Sequence, residues 1–445
     1  MFRNYRWYIV FILFLAAIIN YIDRTALSVA MPFISKRFHL DPAEMGMILS
    51  SFFIGYALFN FIGGYFSDVI GPKKVFAVSM TVWSIFCGLT AMTFSFTSLF
   101  IVRLMFGIGE GPFSSTANKA VNNWFPIKER ARAVGINQAG LPIGGAISGP
   151  IVGLIALHWG WEWSFVVITL IGLLWTVIWV KTVTDRPQDH PKVSKAELQV
   201  IRKGQQETTA SSSSASLPLS HYIKQPTVLV TAIAFFAYNY IIFFFLTWFP
   251  SYLTMAKHLS IMKMSVVTMI PWSVGALGLI GGGIITDYIY NKTGKLMFSR
   301  KVVLVTCLLG SAVCVGLTGI VSSVNSIVTL MALGICFLYM TASIYWAIIQ
   351  DTVIGEKVGG VSGFVHGLAN ISGIIGPTVT GLIVQYTGKF TSAFLLAGGL
   401  AIIGALAVAF FVKPLQGTLE KNERAEDMLS VRRNRDKLEQ YSELS

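Results

Sequence analysis

The stretch INYIDRTALSVAMP (19–32) carries the two observations on which the reading of the chain turns. Its opening tripeptide NYI (20–22) recurs at 239–241, inside a second apolar segment. Its next residues, Asp23 and Arg24, are charged where a lipid-facing helix carries neither. The NYI spacing is matched elsewhere. GYFSD (64–68) answers to GIITD (283–287) at the same 219-residue offset, and GAISGP (145–150) to SGIIGP (372–377) at 227. Short apolar strings recur by chance, but two matches at one offset in corresponding segments point to a duplicated unit. The second copy has Ile242 and Phe243 where the first has Asp23 and Arg24. The repeated unit itself does not need charges there.

Composition sets the class. Of 445 residues, 54% are hydrophobic and only 12% are charged. A soluble chain of this length cannot hide so much apolar surface, so the predicted fold is an all-α integral membrane protein. The 41 glycines suit close helix packing in a bilayer. The net charge of +13 reads as Lys and Arg gathered in cytoplasmic loops, and no nucleic-acid partner is expected. Cys87, Cys307, Cys314 and Cys336 all fall in apolar segments, so neither a disulfide framework nor a metal site is expected. Arg3 and Arg6 ahead of an apolar run imitate a secretory signal. The run is too long, is interrupted by Asp23-Arg24 and lacks a small-x-small cleavage site.

Crossing ~30 Å of hydrocarbon takes about 20 residues of helix. Twelve segments qualify: 8–32, 45–66, 75–95, 98–121, 133–157, 164–183, 227–253, 264–288, 302–322, 326–351, 360–385 and 392–412. An even number puts both termini on one side. The connections on that side hold Lys73, Lys74, Lys128, Arg130, Arg132, Lys292, Lys295, Arg300, Lys301 and Lys357. The opposite connections hold only Lys36, Arg37, Lys257, Lys263 and Lys389. The positive-inside rule makes both termini cytoplasmic. The organisation expected is a six-helix half (1–183), a cytoplasmic linker (184–225), a second six-helix half (226–413) and a charged tail (414–445). The serine run TTASSSSAS (208–216) reads as flexible linker. Parallel six-span repeats imply a pseudo-two-fold axis along the membrane normal. They place a substrate near mid-membrane between the halves, reached by rocking one half against the other.

Ionisable groups inside spans are costly and mark function or a buried network. Span 1 offers a polar face of Asn20, Tyr21, Asp23 and Arg24. Neighbours in a helix point ~100° apart, so Asp23 and Arg24 do not simply neutralise each other. In span 4, Arg103 and Glu110 are seven apart and share a face, with Gly107 on the same stripe. The plainer reading is a network that only fixes packing, although a neutral polar pair would do this at lower cost. The functional reading gives Arg24 or Arg103 an anion, and Asp23 or Glu110 a proton. An anion competing for the arginine would release the carboxylate to be protonated. The second half offers uncharged polar and aromatic groups in FFAYNYIIFFFLTWFP (235–250), TASIYWAIIQD (341–351) and GFVHGLANISG (363–373). Asn239 and Asn370 stand out, because an amide in mid-span wants a partner. His366 reads equally as a ligand contact, a proton site or a packing residue.

NYIDRTALSVA, GGYFSDVIGPKK, RLMFGIGEGPFSSTANKAVNNWFPIKERARAVG and LTWFPSYL resemble the anion:cation symporter family of the major facilitator superfamily. The resemblance covers all twelve spans. It implies that Arg24 binds a substrate carboxylate, that Asp23 and Glu110 are the protonatable groups, and that Arg103 is their charge partner. It implies further substrate contacts from Tyr21 and Tyr56, and from Ser343 and Trp346. Asn20, Gln138, Asn239, His366 and Asn370 complete the candidate site. The superfamily's loop signature survives as Gly64, Asp68, Gly71, Lys73 and Lys74, with Asp287 its counterpart in the second half. Val69 and Pro72 stand where arginines are usual. Leu141 stands where related sugar-acid carriers often have Gln, and His366 near a frequent Asn.

The expectation is therefore a proton-coupled importer of a sugar acid in the cell membrane. Its partners are a small anionic substrate, protons and the lipid bilayer. It is expected to act as a monomer with no cofactor. A facilitator or exchanger of the same fold, or a non-transporting nutrient sensor, are the alternatives. The absence of a phosphate-binding G-x-x-x-x-G-K-[ST] loop argues against an ATP-driven pump, and no enzyme motif such as H-E-x-x-H is present.

Overall fold

The computed structural model describes residues 4–206, 218–353 and 357–412. The serine run and the charged tail lie outside them. Before residue 207 the helices are α1 (Tyr5–Phe38), α2 (Pro42–Val69), α3 (Pro72–Leu89), α4 (Phe96–Glu110), α5 (Phe113–Trp124), α6 (Ile127–His158), α7 (Trp161–Thr182) and α8 (Lys195–Gln206). After residue 217 they are α9 (Leu219–Ile223), α10 (Pro226–Met255), α11 (Ile261–Thr293), α12 (Leu296–Thr318), α13 (Val324–Met340), α14 (Ile344–Thr352), α15 (Val358–Thr387) and α16 (Thr391–Phe411).

Among the described residues, twelve helical spans are long and apolar enough to cross a membrane. They follow the order of the predicted segments. Two are not single helices. Span 4 is α4 then α5, broken at Gly111-Pro112, and span 10 is α13 then α14, broken at 341–343. These are the fourth spans of the two repeats. Local rules set many ends. Asp41 accepts from the Glu44 backbone at 2.8 Å while Glu44 accepts from the Asp41 backbone at 3.0 Å, a reciprocal cap that starts α2 ahead of Pro42. Gly294 and Gly388 end α11 and α15 at φ +68 and +67.

The first spans of the two repeats are the most deeply buried, 78% of the apolar core of α1 and 83% of that of α10. They face each other at the centre, while α3, α7, α12 and α16 form the outer flanks. Helix α8 also packs onto this assembly. Glu197 accepts from the backbone nitrogens of Tyr5 and Arg6, both at 3.0 Å, and pairs with the Arg6 side chain at 3.2 Å. Arg6 also reaches Glu129 at 2.9 Å. One carboxylate thus satisfies the unpaired donors that begin α1.

The two repeats touch at the end of the molecule far from Tyr5. There α2 packs on α15 and α6 on α11. The seam is made by small residues. A side chain on Gly46 would meet the Pro377 carbonyl at 2.5 Å, one on Gly381 the Pro42 carbonyl at 2.2 Å, and one on Gly149 the Ser265 carbonyl at 2.5 Å. Across the same seam, Thr378 donates to Ser50 Oγ from its backbone at 3.1 Å and its hydroxyl at 2.8 Å. Nearer Tyr5 the seam ends. Gly135 on α6, and Gly359 and Gly363 on α15, face open space. The halves are closed against each other at the far end.

Gly46→Leu cannot fit this seam. A cysteine placed at the buried Ser50 should then become reactive to a membrane-impermeant thiol reagent added from the far side. Unchanged reactivity would show that the seam is not the far-side closure.

Candidate functional site

Glu110 is the last residue of α4. Its position follows from the packing of α2 on α4, which is backbone against backbone. A side chain on Gly107 would strike the Phe52 carbonyl at 2.0 Å, and one on Gly55 the Leu104 carbonyl at 2.2 Å. A side chain on Gly63 would strike Pro112 at 2.4 Å, at the break itself. Pro112 donates no backbone hydrogen bond, and Gly111 admits the close approach of α2. The second repeat is built likewise. Gly282, which matches Gly63 at the 219-residue offset, lies against the Met340 carbonyl just before the break in span 10.

At the first break Glu110 is wholly buried and Arg24 of α1 is 8% exposed. Arg24 Nε donates to Glu110 Oε1 in a short ion pair. The guanidinium is held in an aromatic frame, 4.4 Å from the ring centre of Tyr56, 5.0 Å from Phe52 and 5.6 Å from Tyr21. The second carboxylate oxygen of Glu110 and the amide nitrogen of Asn20 are both buried without a hydrogen bond. The pair therefore retains unused hydrogen-bonding capacity.

Asp23 points elsewhere, as the helical angle required. It is 1% exposed and accepts from the Cys87 thiol of α3 at 3.6 Å. Arg103 is also 1% exposed, and donates to Thr90 at 3.0 Å with its charge 4.3 Å from the Phe106 ring centre. Among the described residues it forms no ion pair with Asp23 or Glu110. The resemblance implied Arg103 as the charge partner of both carboxylates; in this conformation Arg24 holds Glu110 and Arg103 is held on Thr90.

The second repeat carries rings where the first carries charges. Phe243, which matches Arg24 in the repeat, packs on Phe53 with centroids 4.3 Å apart. Tyr345, Phe235 and His366 form a stacked column, with centroids 4.6 and then 5.8 Å apart. Trp346 lies edge-on to Phe235 at 5.4 Å and tilted against His366 at 5.3 Å. His366 and Trp346 are half-buried. Asn370 is buried and donates at 2.8 Å to the His366 carbonyl on its own helix, which answers its need for a partner. Ser343 is exposed at the break of span 10. Asn239 is buried in α10 and Gln138 half-buried in α6, and neither hydrogen-bonds to Arg24 or Glu110.

The loop residues fall together at the end nearer Tyr5. Gly71 holds φ +90, and a side chain there would strike Asp185 at 2.4 Å. Asp185 accepts from the Lys73 backbone at 2.8 Å. Asp68 pairs with Lys119 of α5 at 2.5 Å, inside its own repeat. Gly64 is half-buried beside Ser115, Lys74 is exposed, and Asp287 is exposed close to Arg300, which is paired with Asp351.

The Major Facilitator Superfamily model matches residues 13–353 and 297–439. The chain belongs to that superfamily. Within it, the chain is 53% identical to the hexuronate transporter of Bacillus subtilis, over 94% of this chain and 97% of that one. It is 33% identical to a probable sulfoacetate transporter of Cupriavidus necator and 33% to a probable galactarate/D-glucarate transporter of Escherichia coli K12, in each case over 92% of this chain and 94% of the relative. These relatives are named as transporters, not enzymes. Among solved structures, a bacterial homologue of the lysosomal transporter Spinster, inward-facing and occupied, superposes with a TM-score of 0.71 at 17% identity, covering 92% of this chain and 97% of that one. The superfamily fold and a multi-pass membrane protein follow.

Phe52 lies one turn from Tyr56, so helical spacing alone could have added it to the site. Cys87 and Thr90 carry no such signal, because they meet Asp23 and Arg103 only through tertiary packing. Removing one member of the ion pair strands the other in a buried setting. A double-mutant cycle over Arg24→Ala and Glu110→Gln, read by thermal unfolding in detergent, should give a coupling of roughly 1–3 kcal/mol. Additive single effects would mean that the pair is not formed.

Proposed function

We propose that the chain is a proton-coupled symporter that imports a sugar acid (a hexuronate, an aldonate or an aldarate) by alternating access. The observation that carries this is the Arg24–Glu110 ion pair, buried beside a helix break between the two repeats. Interrupted spans at matching places in the repeats are where such carriers build their sites. The names of the hexuronate and galactarate/D-glucarate relatives supply the substrate class.

The chemistry is an exchange of partners. An incoming carboxylate competes for the Arg24 guanidinium, whose five donors in a planar fork suit it. Glu110, losing its counter-ion in a site closed to water, binds a proton. Both charges are then neutralised, and the repeats can rock past each other without exposing a bare ion to the apolar core. At the opposite side Glu110 loses its proton, retakes Arg24 and expels the anion. Tyr21, Phe52 and Tyr56 keep the guanidinium in place through both halves of the cycle. Asp23, set apart on the Cys87 thiol, serves as a second proton site, and Arg103 is its distant counter-charge. The excess of Lys and Arg in the connections at the end carrying Tyr5 supports a cytoplasmic position for that end and both termini. The conformation described is then closed on the side away from the cytoplasm, with Arg24 returned to Glu110. The carrier works as a monomer, because each chain brings both repeats to one cavity.

Transport in proteoliposomes tests this. Arg24→Ala should abolish substrate binding. Glu110→Gln should lose accumulation driven by a proton gradient while retaining counterflow exchange of preloaded substrate, and Asp23→Asn should behave similarly. Proton-driven accumulation persisting in both carboxylate variants would refute the coupling scheme. Tight binding in Arg24→Ala would refute the anion clamp.

A further inference from the structure

We propose that Trp272 and Phe53 are positioning residues that tie the closure of the far end to the Arg24–Glu110 pair: each ring crosses from one repeat onto a glycine of the other, and each touches a ring of the frame that holds Arg24. The inference rests on the alternating-access part of the reading above and not on the identity of the substrate.

The seam between the repeats has an inner layer unlike the rest. Gly145, Gly149 and Gly153 stand four residues apart on α6, so they share a face. A side chain on Gly149 or Gly153 would meet Ser265 of α11. One turn nearer Tyr5, a side chain on Gly145 would strike the indole of Trp272 at 2.6 Å. On α15, Gly373, Pro377 and Gly381 have the same spacing. The last two meet Gly46 and Pro42 of α2, whereas a side chain on Gly373 would strike the Phe53 ring at 2.4 Å. Phe53 and Trp272 are 219 residues apart, which is the offset of the repeat, so the two rings are counterparts. Both are 1% exposed. The innermost contact of the seam is thus a ring wedged on a glycine, made once in each direction between the repeats.

This inner layer reaches the ion pair. Trp272 lies edge-on to Tyr21, with centroids 5.5 Å apart and planes at 83°. Tyr21 is also held by α6, since a side chain on Gly144 would meet its Cβ at 3.0 Å. Phe53 lies edge-on to Phe52 at 4.9 Å, and packs on Phe243 of the second repeat at 4.3 Å. Tyr21 and Phe52 are two of the three rings around the Arg24 guanidinium. Phe245 of α10 braces Trp272 from its own repeat at 4.9 Å. Close-packed rings shift as units and do not deform. Opening the far end withdraws both wedges from their glycines and removes the support behind Tyr21 and Phe52. By the reciprocity of linkage, losing the ion pair frees those two rings and weakens the wedges. Pro271, immediately before Trp272, donates no hydrogen bond to the preceding turn, so α11 can bend at the wedge.

The test is the rate at which a membrane-impermeant thiol reagent, added from the far side, modifies the Ser50→Cys variant of the full-length carrier, measured against the carrier without that change. Gly46→Leu in the same background supplies the rate of an open seam. Removing the ion pair with Arg24→Ala and Glu110→Gln together, which strands neither charge, should raise the rate at least about fivefold. With Trp272→Leu and Phe53→Leu the rate should stay below that of the open seam, because the outer glycine layers remain. Removing the ion pair should then change it less than about twofold. Gly145→Ala with Gly373→Ala pushes the same rings out by one methyl each and should abolish the response equally, which covers a leucine pair that does not fold. A merely structural ring would alter the rate but not its dependence on the ion pair. The proposal is overturned by a rate indifferent to the ion pair while the wedges are present, by the same fivefold response without them, or by an open-seam rate from wedge replacement alone. No sugar acid enters these measurements, so each of those results leaves the substrate reading standing. Failure of glucuronate to bind the unmodified carrier would instead remove that reading and leave the wedges in place.

Discussion

The buried ion pair between Arg24 and Glu110 is the contact on which the rest of the structure depends. Two ions removed from water cost several kcal/mol each unless their geometry is good and their remaining capacity is used. Here one carboxylate oxygen is paired and the other is not. The aromatic frame of Tyr21, Phe52 and Tyr56 stabilises the cation but supplies no counter-charge. Such an arrangement holds while the two ions face each other and becomes unfavourable when either is taken away. It is therefore a pair that a second anion and a proton can replace together, and that neither can replace well alone.

The surrounding fold exists in large part to make that pair possible. Glu110 reaches Arg24 because Gly55, Gly63, Gly107 and Gly111 let α2 and α4 approach at backbone distance, and because Gly111-Pro112 ends α4 at the carboxylate. The second repeat keeps the same glycine packing and the same break but places Phe243 where Arg24 would be. One architecture thus produces a charged wall and an aromatic wall. The far-end seam uses the same device of small residues against backbone carbonyls, so the closure there rests on many close contacts together with hydrogen bonds between Ser50 and Thr378 and between the Ala43 backbone and Gln385.

Much of this could be read from residues in order. Composition and hydropathy give twelve spans, and the NYI and GYFSD repeats give the two-fold plan. The ~100° step of a helix separates Asp23 from Arg24, and the structure sends them to Cys87 and Glu110 respectively. What periodicity cannot give is the partner, because it fixes the face of a helix and not which neighbour meets that face. That is why Glu110 and Arg103 share a stripe of span 4 yet only Glu110 meets Arg24. The break at 111–112 carries a signal in Gly111-Pro112, whereas that at 341–343, Thr-Ala-Ser, carries none, and there only the packing of α11 against the Met340 carbonyl shows where the helix stops. The closed far end is a property of a conformation, which no sequence pattern encodes.

The central claim is that a substrate carboxylate displaces Glu110 from Arg24 and that Glu110 then takes a proton. Proton uptake on ligand binding, followed with a pH indicator in weakly buffered solution as glucuronate is added to the purified carrier, tests it directly. The account predicts that binding removes protons from solution in the unmodified protein, and that Glu110→Gln binds with this uptake lost or strongly reduced. Binding without proton uptake, or uptake that is the same in Glu110→Gln, would contradict it.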